Sequence, residues 1–318
     1  MKIKSAGAAL LWTALFFAGD LPAQTNAVDR GLTWLAAQQR PDGSWSPNPA
    51  LNSLALLAFL SAGHVPADNV YGKLVDRGLG FVLTQQTEDG AFTANGAMMY
   101  GQGITTLMLA EMLGMSERDA PVRAELKKAV ALILRAQAVE KSPIHEGGWR
   151  YDVQSTDSDL SVTVWQITAL KAAADAGISV PRRAMERAAD YVRRCQHPTG
   201  GFSYQPGGFP NQSRTASAIL ALRFCGLPDD PAIARARDWL AGNPLRWDSE
   251  FFYYAAYYCA HAGAGLDERV LLEHQSADGS WPAPPATHDE AKAGPIYTTS
   301  MALLALTAEW HYLPVYLK

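Results

Sequence analysis

Cysteine is scarce: Cys195, Cys225 and Cys259 are the only three in 318 residues. An odd number this small excludes a disulfide-dense scaffold, so the fold must rest on a packed core. Charge is thin and balanced, with 27 Lys plus Arg against 31 Asp plus Glu. No basic face invites a polyanion, and nucleic acid is therefore not an expected partner. Beyond the first 20 residues no segment is apolar for long enough to span a membrane, which takes about 20 apolar residues. Apolar segments favour Ala and Leu over β-branched types, which argues against strands.

What stands at the N-terminus is Lys2 and Lys4, an apolar stretch from Ala6 to Gly19, and Asp20 followed by Leu-Pro-Ala-Gln. This is the layout of a secretory signal peptide. The reading divides the chain into a signal peptide over 1–23 and one domain over 24–318, with a secreted or periplasmic destination.

Internal self-similarity organises the rest. A Gln, three residues, a Gly, one residue and an aromatic ring recur as Gln39, Gly43, Trp45; Gln86, Gly90, Phe92; Gln196, Gly200, Phe202; and Gln275, Gly279, Trp281. A third unit runs with an insertion from Gln137 to Gly147, Gly148 and Trp149, and a degenerate fifth keeps only Trp239 and Trp247. Ahead of each Gln, apolar residues such as Leu32, Leu35 and Ala36 fall at helical spacing and predict an amphipathic outer helix. Asp42-Gly43, Asp89-Gly90 and Asp278-Gly279 supply turn chemistry. After each turn comes a helix that is small or apolar on most sides, over 51–62, 103–113, 160–174, 215–225 and 298–308, and such a helix is buried. Gly63, Gly114, Gly177 and Gly226 suit left-handed C-terminal caps. The pattern predicts an all-α chain of twelve main helices. Trp45, Phe92, Trp149, Phe202 and Trp281 are expected to staple neighbouring outer helices.

These units resemble the QW motif of the squalene-hopene cyclase and prenyltransferase-β repeat superfamily. Arg30-Gly31, Trp34, Gln38-Gln39, Gly43 and Trp45 carry the resemblance, as do Arg77-Gly78, Phe81, Gln85-Gln86, Gly90 and Phe92. It implies an (α/α)6 toroid, in which six inner helices ring a central cavity and six outer helices surround them. Physically, closing six hairpins into a ring covers the ends that an open solenoid must cap.

The resemblance also implies chemistry. Squalene-hopene cyclases carry Asp-x-Asp-Asp, whose middle Asp protonates an alkene. Here Asp157, Ser158, Asp159, Leu160, Ser161 match its first two acids, while Leu160 replaces the last. Asp157 and Asp159 are thus the candidate catalytic residues. The competing, favoured reading is that Asp159 or Ser158 caps the third inner helix, which would stabilise the ionised carboxylate and lower its pKa. The Asp, Cys and His that bind zinc in protein prenyltransferases have no match: Tyr297, Thr298, Thr299 stand where those enzymes have Tyr then His. Cys259 and His261, two apart, face different sides of a helix. No metal or cofactor is expected. Tyr100, Trp149, Tyr151, Trp165, Tyr254, Tyr258 and Tyr297 are expected to line the cavity.

Three functions follow in order of preference. The first is an exported toroid that binds a hydrophobic small molecule or a protein partner. The second is a single-ring isoprenoid cyclase with Asp159 as acid. The third is a polysaccharide-active (α/α)6 enzyme using acids such as Glu146, Asp152, Asp248 and Glu250.

Overall fold

The computed structural model describes residues 21–285 and 288–317. Residues 1–20, most of the expected signal peptide, lie outside them. The outer helices are α1 (Leu21–Ala37), α3 (Gly72–Leu83), α5 (Asp119–Ala138), α7 (Arg182–Arg194), α9 (Pro231–Gly242) and the short α11 (Arg269–Glu273). Alternating with them are the inner helices α2 (Pro49–Ser61), α4 (Met98–Met112), α6 (Leu160–Asp175), α8 (Gln212–Phe224), α10 (Phe252–Ala262) and α13 (Pro295–Leu306). One further short helix, α12 (His288–Ala293), precedes α13. Among the described residues there are isolated β-bridges but no strand.

The inner helices are buried on nearly every side, as their all-round apolar sequences require. Each packs on the next, α2 on α4, α4 on α6, α6 on α8, α8 on α10 and α10 on α13, and α13 returns to α2. The ring is closed. α4 begins at Met98, earlier than the expected 103, because its glycines are contact points and not breaks. A Cβ on Gly103 would lie 2.8 Å from Gln166 Nε2 and 2.9 Å from Trp165 Cβ on α6.

The repeated Gln is a clasp, and its hydrogen bonds explain the motif. Gln39 Nε2 donates to Gly43 O across its own turn and to Leu74 O on the next outer helix, at 3.0 and 2.9 Å. Gln86, Gln137 and Gln196 repeat this toward Glu125, Ala184 and Ala232. Gln275 completes the circle by donating to Ala27 O on α1 at 2.8 Å. The turn glycine has φ near +90° and touches the same neighbour: a Cβ on Gly43 would sit 2.5 Å from Arg77 O, and one on Gly279 would sit 2.5 Å from Arg30 O. The aromatic that follows is buried, with Trp45 Nε1, Trp149 Nε1 and Trp281 Nε1 donating to carbonyls of Leu35, Ile133 and Leu271. Its backbone N–H is met from the inner helix by Asn52, Gln102, Thr163, Thr215 or Thr299.

After α13 the chain turns across the far end of the ring. Tyr316 stacks on His261 with centroids 3.8 Å apart, bonds its hydroxyl to that of Tyr257, and lies against Phe224. Val315 N donates to Glu111 Oε1 at 3.3 Å. Burial pushes the Glu111 pKa up to about 8 and that of His261 down to about 3. These residues belong to the C-terminal ends of α4, α8 and α10, so the tail corks that end of the ring.

Candidate binding cavity

Because the inner helices run parallel in alternate positions of the chain, their N-termini share the opposite end. There a cavity of about 540 Å³ opens, lined by first-turn residues of all six: Ala50 and Leu51 of α2, Tyr100 of α4, Ser161 of α6, Ser213 and Arg214 of α8, Tyr254 of α10 and Tyr297 of α13. Leu54, Ile104 and Trp165, one turn deeper, add to its apolar wall, and Tyr151 and Tyr204 enter from loops. Six helix N-termini also bring the positive ends of six dipoles to this mouth.

α12 covers one side with Asp289, Glu290 and Ala293. Glu290 is buried, and its Oε1 accepts from Tyr254 N at 3.1 Å. This caps α10, whose own N-cap residue, Phe251, makes no side-chain cap bond. Three non-glycine residues around the mouth, Asn95, Met98 and Phe251, hold φ of +54°, +52° and +53°. Such conformations cost of order 1–3 kcal/mol each and persist only where the surroundings impose them.

Asp159 stands at the start of α6. Its Oδ1 accepts from Val162 N at 2.9 Å, so the residue is the helix N-cap. Oδ2 has no hydrogen-bond partner; Arg150 Nε lies 3.9 Å away, and the Tyr204 hydroxyl is close enough to favour the ionised form. The expected lowering of the pKa does not hold. The side chain is fully buried, and loss of solvation outweighs the cap, Tyr204 and Arg150, raising the pKa from 3.8 to about 6.

Asp157 is half-exposed and paired with Arg150. That guanidinium lies 5.1 Å from the ring centroid of Tyr151 and 5.6 Å from that of Tyr204, whose hydroxyls bond each other. Asp159 does not itself line the cavity; the two tyrosines do.

The family described as the prenyltransferase alpha-alpha toroid domain matches residues 13–252. The chain belongs to this family. Among solved structures, the type II terpene cyclase MstE from Scytonema, in complex with the product merosterolic acid A, is similar over 94% of this chain and 100% of its own, with 17% identity and a TM-score of 0.61. The GH76A alpha-1,6-mannanase from Salegentibacter is similar over 91% of this chain and 99% of its own, with 9% identity and a TM-score of 0.65. A protein from Actinoplanes is similar over 90% and 99%, with 20% identity and a TM-score of 0.57. No curated protein matches the chain. The structural likenesses are of fold alone, since one toroid hosts both terpene and glycan chemistry.

Of the aromatics expected in the cavity, Tyr100, Tyr151, Trp165, Tyr254 and Tyr297 line it. Trp149 does not, because it is the aromatic of the third turn and staples that repeat as Trp45 does its own. Tyr258 does not either: one turn below Tyr254, it is fully buried and packs in a second layer on Trp165, Tyr254 and Tyr257. Glu146, Asp152, Asp248 and Glu250 are not among the lining residues. Sequence reasoning missed Tyr204, Arg214, Asp289 and Glu290. Arg214 was findable by the rule that first-turn residues of inner helices face the mouth. Glu290 had only one signal, the unusual length of the connection between Trp281 and Tyr297.

Proposed function

We propose that this chain is an exported single-ring toroid that binds an apolar, isoprenoid-type small molecule in its axial cavity without transforming it. The cavity carries the proposal. Its volume of about 540 Å³ falls within the roughly 300–1,000 Å³ of small-molecule sites, its lining is chiefly aromatic and aliphatic, and the tail closes the ring beyond it. A similar toroid, MstE, was solved with geranylgeranyl dihydroxybenzoate, an apolar chain bearing a polar head. Export rests on the N-terminal layout of Lys2, Lys4 and the apolar stretch that follows.

Two observations favour a second reading, catalysis with Asp159 as acid: its raised pKa and an oxygen beside the cavity wall that accepts no hydrogen bond. Three weigh against it. A pKa of about 6 leaves the proton on roughly one molecule in eleven at pH 7. Leu160 replaces a neighbouring acid, and the carboxyl does not line the cavity.

The test is titration of the folded protein with geranylgeraniol, followed through tryptophan fluorescence because Trp165 lines the cavity. Saturable one-site binding is expected, with the alcohol recovered intact and most of the response lost in Trp165→Phe. Cyclised product that disappears in Asp159→Asn would establish the second reading. Saturable binding of a mannooligosaccharide with none of the alcohol would refute both. For export, the protein recovered outside the cytoplasm should begin near Gln24.

A further inference from the structure

Resting on the cavity reading above, we propose that the ligand carries a single carboxylate head, held by Arg214. Arg214 is in the first turn of α8 and lines the cavity. Its backbone N–H is taken by the Asn211 cap, and its guanidinium lies 5.3 Å from the ring centroid of Tyr204. Among the described residues that guanidinium makes no hydrogen bond and no ion pair.

The contrast with the neighbouring Arg150 is the point. Arg150 stacks on the same Tyr204 ring but is neutralised by Asp157. Arg214 is held by the same aromatic surface, lines the cavity, and spends its donors on no other described residue. A guanidinium presents five N–H donors in a planar fork, which matches the two oxygens of a carboxylate. The first turns of six helices add positive potential around it.

The charge balance also fixes how much anion the site takes. No lysine lines the cavity, Arg150 is already compensated, and Asp289 and Glu290 line it from α12, which packs on α13, two places round the ring from α8. One free guanidinium offsets a monoanion on its own side of the mouth; because Asp289 and Glu290 already outnumber it in the lining, a diphosphate brings more negative charge than the site offsets. The apolar wall of Leu51, Leu54, Ile104 and Trp165 then receives the body of the molecule.

The experiment compares geranylgeranic acid, geranylgeraniol and geranylgeranyl diphosphate on the wild-type protein, Arg214→Gln and Arg214→Lys at pH 7.5. Charge-assisted hydrogen bonds predict that wild type binds the acid at least about tenfold more tightly than the alcohol. Arg214→Gln should erase that preference while alcohol binding persists, which shows the variant to be folded, and Arg214→Lys should retain part of it. Equal affinity for acid and alcohol in wild type, a preference that survives Arg214→Gln, or tightest binding of the diphosphate would each overturn the inference and leave the cavity reading standing. Failure of all three compounds to bind would overturn both.

Discussion

Asp159→Asn separates two effects that act on one side chain. Asparagine caps a helix as well as aspartate does, so the bond to Val162 N survives the substitution. What disappears is the cost of burying a carboxylate. With the pKa raised from 3.8 to about 6, the protonated form folds more favourably than the ionised one. The sign follows: the contribution is fully present below about pH 3.8 and is lost as pH rises through about 6. Linkage gives a penalty under about 1 kcal/mol at pH 4 that grows to about 3 kcal/mol at pH 7. Wild type should therefore lose about 2 kcal/mol relative to Asp159→Asn between pH 4 and pH 7. Urea unfolding of both proteins by far-UV ellipticity, at several pH values and constant ionic strength, measures the difference. A flat difference, or one in which wild type gains on the variant as pH rises, would show that the cap and Arg150 outweigh desolvation, and the reasoning would fail.

Trp45→Ala removes a buried indole and its bond to Leu35 O, and should lower stability by about 3 to 5 kcal/mol in denaturant unfolding while leaving ligand affinity of the folded fraction unchanged. Gly43 and Gly114 hold nearly the same φ, +92° and +90°, but only Gly43 has backbone within reach of a new Cβ. Gly114→Ala should then cost about 1 to 2 kcal/mol of backbone strain, and Gly43→Ala clearly more, because Arg77 O would have to move. Equal drops in melting temperature would contradict the clasp geometry.

The fold was legible because each motif residue has one local task repeated round the ring. Gln39 bonds the turn and the next helix, Gly43 allows the approach, and Trp45 fills the gap, so the spacing alone announces the architecture. The cavity was less legible. Trp149 and Trp165 are the same residue type, and their fates differ because one follows a turn glycine while the other lies on an inner helix near its N-terminus. Asp159 was readable as a cap, but its titration depends on how far burial outweighs hydrogen bonding, and burial belongs to the assembled ring. Glu290 acts across the chain on the start of α10, and no periodicity marks such a partner.

The clasp from Gln275 to Ala27 gives assembly an order in time. It joins residues 248 apart in sequence, whereas the clasp from Gln39 to Leu74 joins residues 35 apart. Loop-closure entropy makes the long link about 1.7 kcal/mol harder to form in an otherwise unstructured chain. α1 is the first described helix to be synthesised, yet the residues that grip it come almost last. The four shorter clasps can form as their residues appear, and each one brings the two ends of the chain nearer together. Closure then waits on the final repeat, so a chain halted before residue 275 keeps α1 ungripped, and folding to completion is slow for so helical a protein because its last step is its most non-local.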